Sequence, residues 1–421
     1  MVEILYGKGA VKCPVEPNAV LALREKQEKG NVSGSELVRR AMEAPWGGTT
    51  LAELAKGRKR ATVIISDHTR PVPSKDILPH MLRELREGNP GIEVTLLVAT
   101  GCHRGTTPEE LAAKLGEEIA NREVIRVHDA FSKEENVEIG TLPSGAPLVI
   151  DRLAVETDLL VAEGFIEPHF FAGFSGGRKS VLPGVCAAAT VYGNHCGAFI
   201  ADEHARTGIL EGNPIHRDMV AAAKLAKLAY IVNVVIDDDK NTVAAFAGDP
   251  FLAHEAGVEF LKGQCQVPAA PGDIVITSNG GAPMDQNLYQ CVKGLTAAEA
   301  TAKPGAVLII CAEAVDGIGG EGFYQSLSRC QDAAALYDAY CATPQGETIP
   351  DQWQTQILAR ILMKHRVIFV TRPELAETIR EMKMEYAETL EQALAMARES
   401  VGERPTVTAI PNGISVIVSA N

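Results

Sequence analysis

No run of five or more Lys or Arg residues occurs in this chain, and its formal net charge is −14. Both facts argue against a nucleic-acid surface, although a small basic site can sit inside an acidic protein. No apolar run approaches ~18 residues, so no membrane-spanning helix is expected. The start, Met1-Val2-Glu3-Ile4-Leu5, lacks the basic and apolar regions of a secretory signal. Nine cysteines are scattered along the chain without one Cys-x-x-Cys pair. Neither a disulfide framework nor a structural zinc site is expected, and a reducing cytoplasm is the expected home. No Gly-x-Gly-x-x-Gly fingerprint is read after a strand, which leaves a standard dinucleotide fold unsupported. Internal repeats and low-complexity segments are absent.

What is present is ordinary globular material: 421 residues, 46% hydrophobic and 22% charged. That length points to two or three domains. Short Val- and Ile-rich runs at 61–66, 92–100, 158–162 and 230–236 read as buried strands. Helical spacing fills 73–86 and 108–120, with Thr107 as N-cap and Pro108 in the first turn. Alternating strands and helices imply parallel βαβ units in a doubly wound sheet. A break at Gln266-Val267-Pro268-Ala269-Ala270-Pro271-Gly272 is followed by a restart, with strands at 273–277, 306–311 and 366–370. The expectation is an α/β protein of two α/β domains, 1–266 and 267–421, with mainly parallel sheets and an active-site cleft between them. The tail, 405–419, reads as a hairpin turning at Pro411-Asn412-Gly413.

In open α/β sheets, ligands bind beyond the carboxyl ends of the strands. The expected strand ends carry Ser66-Asp67-His68-Thr69-Arg70-Pro71 and Gly101-Cys102-His103-Arg104. A longer stretch, Glu167 to Gly184, sets His169, Arg178 and Lys179 among glycines, and a later helix bears Tyr289, Gln290 and Lys293. Each cluster has a plain reading: Asp67 as a helix cap paired with Arg70, His103 as a surface loop residue, 289–293 as a solvated helix face. Their convergence on independent strand ends favours one functional site. Gly173-Phe174-Ser175-Gly176-Gly177-Arg178-Lys179-Ser180 approaches the P-loop pattern, but Arg178 occupies the second glycine position.

Taken together, these clusters resemble the nickel-dependent lactate racemase family over nearly the whole chain. The matching pieces are Ser66 to Pro71, Gly101 to Arg104, Glu167 to His169 with Gly173 to Lys179, Gly193-Asn194-His195, Tyr289 to Lys293, and Trp353. The resemblance implies a nickel-pincer nucleotide cofactor, delivered by cofactor-supplying biosynthetic proteins and covalently attached through Lys179. It implies His195 as the nickel ligand and His103 and His169 as acid/base residues. Asp67, Gly176 and Gly177 would contact the cofactor, with Asp67 alternatively orienting a catalytic histidine. Arg70, Gln290 and Lys293 would hold the substrate, with Tyr289 and Trp353 lining the site.

The chemistry suits those residue types. The hydrogen on the hydroxyl-bearing carbon of a 2-hydroxy acid is a very poor acid beside an ionised carboxylate. Removing it as hydride avoids a carbanion and leaves a flat 2-keto acid, but needs a cofactor as acceptor. The hydroxyl proton must leave too, and histidine titrates in the right range. Arg clamps a carboxylate bidentately and imidazole suits nickel. The expected function is therefore racemisation or epimerisation of a small 2-hydroxy acid. Lactate is the default, with malate or a sugar acid as alternatives. A phosphate- or nucleotide-binding protein without redox chemistry, and a hydrolase with zinc on His103, His169 and His195, stand as readings from other classes.

Overall fold

The computed structural model describes residues 2–23, 32–237 and 239–419. The chain forms two compact units. One comprises Gln27–Asn194 and Ile209–Leu261. The other comprises Met1–Lys26, His195–Gly208 and Lys262–Asn421. Both are α/β, and each is built on a six-stranded, largely parallel sheet.

In the first unit the spatial strand order is Thr242–Gly248, Leu228–Ile236, Leu159–Phe165, Arg60–Ser66, Glu93–Ala99, Val124–Val127. All neighbours are parallel except Thr242–Gly248, which runs antiparallel at one edge. The chain lays down Arg60–Ser66, steps outward twice, then returns to place Leu159–Phe165 on its other side. That reversal is a doubly wound switch point, where a crevice opens beyond the carboxyl ends of the two central strands. Leu159–Phe165 is buried along its whole length, as expected of a central parallel strand covered on both faces. Val63, Ile65, Val161, Val232 and Val234 pack against Ile77, Leu78, Met81 and Leu85 of the helix Ser74–Gly88.

The second unit repeats the logic. Its order is Glu385–Ala387, Arg366–Val370, Ala302–Cys311, Gly272–Ser278, Val407–Ile410, Ala19–Val20, all parallel. The switch point lies between Gly272–Ser278 and Val407–Ile410. The outermost strand comes from the start of the chain: Asn18 N–H donates to Val407 O and Leu21 N–H to Ala409 O, both at 2.8 Å. Ile274, Ile276, Val307, Ile309 and Ile368 form the core under the helix Leu390–Val401.

Two local expectations change. The segment 108–120 is not one helix. Pro108–Leu115 and Glu117–Arg122 are separated by Gly116 at φ 84°, a left-handed conformation that ends the first helix. Thr107 does cap the first helix, in a reciprocal box with Glu110. The tail is not a hairpin either. Val407–Ile410 joins the main sheet beside Gly272–Ser278, whereas Ile417–Ser419 pairs in parallel with Gln266–Pro268.

Glycine packing gives a test. A Cβ on Gly88 would lie 2.1 Å from Ala52 O, whereas one on Gly263, inside the helix Leu252–Cys265, would meet nothing within 4 Å. Gly88→Ala should therefore cost about 1–3 kcal/mol of stability. Gly263→Ala should add about 0.5–1 kcal/mol through helix propensity. Thermal unfolding of the two variants checks the opposite signs.

Candidate functional site

Beyond the carboxyl end of Arg60–Ser66, the chain turns at Asp67, with Arg70 N–H donating to Asp67 O. Asp67 does not cap a helix. Its Oδ1 accepts from the Thr69 hydroxyl at 2.7 Å and from Thr69 N–H at 3.2 Å, and its Oδ2 lies 2.8 Å from His103 Nδ1. Asp67 is 1% exposed, while the His103 side chain is 46% exposed. Burial would raise the Asp67 carboxyl, but the hydrogen bond and charge of His103, with Thr69 and Arg70, hold it below its ordinary value. An ionised carboxylate only accepts, so the neutral His103 ring carries its proton on Nδ1 and has Nε2 as its acceptor.

Glu163 and Lys114 support this turn. Glu163 Oε1 accepts from Ser74 Oγ at 2.7 Å and from Ser66 N–H at 3.4 Å, bracketing the loop from both sides. Lys114 Nζ donates to Arg70 O at 3.0 Å and Val72 O at 3.5 Å. Burial raises the Glu163 carboxyl and lowers the Lys114 amine.

Beyond Leu159–Phe165 comes a tight hairpin in which Pro168 and His169 pair with Phe174 and Gly173. The His169 ring stacks on Phe170, with centroids 5.1 Å apart, and meets Phe171 edge-on at 4.5 Å. Ala172 N–H donates to His169 Nδ1 at 3.3 Å. A backbone amide cannot accept, so the neutral His169 ring carries its proton on Nε2. The neutral rings of the two histidines thus differ in tautomer, Nδ1–H at His103 and Nε2–H at His169.

Lys179 lies in the single 3-10 turn Gly177–Ser180 that follows this hairpin. The turn is anchored to the sheet by Asn233, whose Oδ1 accepts from Gly177 N–H at 2.7 Å. Gly176 has φ 81° and Gly177 φ 54°, and a Cβ on Gly176 would fall 2.7 Å from Asn233 Oδ1 and 2.9 Å from Phe165 O. Only glycine lets the loop lie this close to the strand ends. The His103 loop joins it through Gly101 N–H to Gly184 O, 2.9 Å.

Arg178 is enclosed rather than presented to a ligand. It is 2% exposed, and its guanidinium donates to Ala172 O at 2.8 Å, Gly176 O at 3.2 Å and His216 Nδ1 at 3.0 Å. His254 Nε2 lies 3.1 Å away. Burial pulls Arg178 down to about 9, and burial with the Arg178 charge pulls His216 down to about 3. His216 therefore stays neutral and accepts. Arg104 is likewise engaged, bidentate to Glu110 at 2.6 and 2.9 Å.

In the second unit, Tyr289, Gln290 and Lys293 lie on the helix Leu288–Glu299, capped by Asn287. His195 is buried, and its ring meets Trp353 edge-on with centroids 5.1 Å apart. Tyr289 packs edge-on against Phe323 at 5.4 Å. His128, His254 and His365 are buried, His254 in the first turn of the helix Leu252–Cys265 and His365 just past the helix Gln352–Leu362. The spacing Gly317-Ile318-Gly319-Gly320-Glu321-Gly322 does match the dinucleotide fingerprint, after the strand Ala302–Cys311 and at the start of the helix Glu321–Arg329. Its glycines allow close packing, with Gly319 against Asn287 and Gly320 against Tyr289 and Asp351. Among the described residues, no group of three or more His, Cys, Asp or Glu side chains is clustered to hold a metal, which leaves the zinc reading without support. Nor is any helix among them long and apolar enough to cross a membrane.

Asn233, Glu163 and Lys114 escaped the sequence reading. The available signal was a polar residue inside an apolar strand, as in Tyr230-Ile231-Val232-Asn233-Val234. Such a residue is tolerated only when its hydrogen bonds are met.

Polar side chains gathered beyond the carboxyl ends of a doubly wound sheet are the arrangement of an α/β enzyme. The family profile of the lactate racemase N-terminal domain matches residues 6–208, and that of the C-terminal domain matches 267–418. The chain belongs to the lactate racemase family, a family of isomerases. A lactate racemase of Thermoanaerobacterium thermosaccharolyticum is 51% identical over 420 residues, covering 99% of both chains. Another, from Lactiplantibacillus plantarum, is 51% identical over 387 residues, 92% of this chain and 91% of its own. The apoprotein structure of the T. thermosaccharolyticum lactate racemase superposes with a TM-score of 0.96 at 49% identity, over 99% of each chain. A Thermotoga maritima protein, 18% identical with a TM-score of 0.67 over 93% of this chain and all of its own, shares the fold.

Two outcomes follow from the geometry. Arg178→Met orphans several buried carbonyls and should cost at least about 2 kcal/mol, whereas Arg104→Met should leave the thermal midpoint almost unchanged. Asp67 titrates lower folded than unfolded, so its contribution to stability is full above its ordinary value of about 3.9 and drains away as pH falls through the folded value. Acid denaturation of Asp67→Asn should accordingly be less steep than that of the parent below pH about 4, read by circular dichroism.

Proposed function

We propose that this protein racemises lactate, and that its own residues bind, orient and move protons on the substrate around a tethered nickel-pincer nucleotide. The observation that carries the reading is the Asp67–His103 hydrogen bond, which puts the proton of the neutral ring on Nδ1 and leaves Nε2 as its acceptor. Relatives named lactate racemase at 51% identity support the substrate.

The residues fit the cofactor by the chemistry of their donors. Lys179 offers an amine for a covalent link on a turn whose glycines lie against the strand ends. His195 offers an imidazole, a nickel ligand type. When bound, the group would supply a carbon that accepts and returns the substrate hydrogen as hydride, the substrate passing through a 2-keto acid. The rest falls to the chain. Arg70 clamps the carboxylate, while Gln290 and Lys293 hold the hydroxyl oxygen. His103 takes the hydroxyl proton on Nε2, and Asp67 keeps the ring in the tautomer that can. His169 presents Nε2–H to the oxygen of the other substrate orientation and exchanges roles with His103 on reversal. Tyr289 and Trp353 wall the substrate.

Lactate is favoured over malate by what the other cations do. A dicarboxylate needs a second clamp, and the candidates for it are Arg104 and Arg178. The first is bidentate to Glu110 and the second is enclosed in the glycine loop. Protein co-expressed with the cofactor-supplying proteins should interconvert lactate enantiomers in a chiral assay, with malate turned over at least about tenfold more slowly for want of a second clamp. Comparable rates on malate would overturn the assignment.

Lys179→Ala should abolish the covalent adduct in the intact-protein mass. His103→Ala should keep the adduct and lose turnover by about 10²–10⁴-fold. An unchanged rate would remove His103 from the mechanism.

A further inference from the structure

The helix Gln352–Leu362 carries glutamines at 352, 354 and 356, each no more than 1% exposed. A carboxamide has a donor end and an acceptor end, and burial is unfavourable for either end left without a bond. Among the described residues, Gln352 Nε2 and Gln356 Oε1 are left so. A methionine of similar length would avoid that burden. Stability alone does not favour glutamine at these positions; the groups that they hold do.

Gln354 reaches the helix Leu288–Glu299. Its Nε2 donates to Tyr289 O at 2.5 Å, in the first turn of that helix. At the last position of the same helix, Glu299 accepts from Arg360 Nε at 3.1 Å and from Arg360 Nη2 at 2.7 Å. The two anchors are about 15 Å apart along the helix axis, so together they limit both its slide and its tilt. Tyr289, Gln290 and Lys293 all ride on this helix.

Gln356 reaches a different segment. Its Nε2 donates to Gly197 O at 2.8 Å and lies 3.4 Å from Cys341 Sγ. Gly197 opens the short helix Gly197–Ala201, just after His195 and Cys196. It is closely enclosed: a Cβ there would collide with Tyr340 O and lie 3.3 Å from Gln352 Nε2. Trp353, one turn before Gln356 and therefore on the same side of its helix, meets the His195 ring edge-on. The His195 ring and the backbone that follows it are thus held by neighbouring side chains of one helix.

We infer that Gln354 and Gln356 are positioning residues with separate tasks: Gln354 holds the helix that carries Gln290 and Lys293, and Gln356 holds the segment that carries His195. The inference rests on the racemase reading for its kinetic consequence, but not for the two contacts.

The test uses Gln354→Met and Gln356→Met, with the isosteric Gln354→Glu or Gln356→Glu in place of either that fails to fold. In cofactor-loaded enzyme, Gln354→Met should raise KM for lactate about tenfold with kcat within about twofold, because binding common to substrate and transition state is lost. Gln356→Met should leave KM within about twofold but release nickel to a chelator at least about tenfold faster, with the adduct on Lys179 still present in the intact-protein mass. In apoprotein, hydrogen exchange over 288–299 should quicken only in Gln354→Met, and over 195–201 only in Gln356→Met. Exchange that quickens over both segments in both variants, or over neither, overturns the separation of tasks. Crossed exchange with parental KM and parental nickel release overturns the positioning role. Crossed exchange in a protein whose loaded parent fails to racemise lactate would sink the racemase reading and leave the two contacts standing.

Discussion

The buried guanidinium of Arg178 is the interaction on which the first unit's site depends. A cation without solvent must find acceptors on every side, and here they are the carbonyls of the His169 hairpin and the glycine turn. By collecting them it ties the segment bearing His169 to the segment bearing Lys179. Neutral His216 and His254 complete its shell without adding charge. Asn233 then fastens the assembly to the sheet. The flexibility expected of a glycine-rich loop is removed by one enclosed charge.

The same economy governs the Asp67 turn. The carboxylate accepts from Thr69 and His103, Glu163 spans the ends of the loop and Lys114 holds its carbonyls. A general base is useful only if one ring nitrogen stays open, and the Asp67 bond determines which nitrogen that is. At His169 a backbone amide donates to Nδ1, so the neutral ring is protonated on Nε2 instead. Two unlike supports therefore make two identical side chains inequivalent before any substrate binds.

Much of this was legible in the sequence, for identifiable reasons. Central parallel strands are buried on both faces and stand out as Val/Ile runs, so Arg60–Ser66 and Arg366–Val370 were found nearly to the residue. Motifs at the ends of those strands then pointed to the family to which the chain belongs. What failed were features set by distant partners. The enclosure of Arg178 could not be read because His216 and His254 lie 38 and 76 residues away. Pro411-Asn412-Gly413 carries a hairpin signal, but the flanking segments find parallel partners elsewhere, and tertiary pairing outweighs a local turn preference.

The edge strand Ala19–Val20 has a consequence for how the chain is made. It pairs with Val407–Ile410, residues that leave the ribosome almost 390 positions later. Ala19–Val20 therefore cannot be seated until Val407–Ile410 has been made, whereas the strands of the first unit's sheet all lie between residues 60 and 248. Pairings of such long sequence separation form late, after the loop-closure entropy has been met. Until then Val407–Ile410 is the sheet's raw margin, where a stray strand could attach. Ala19–Val20 then covers that margin as a reserved end-piece.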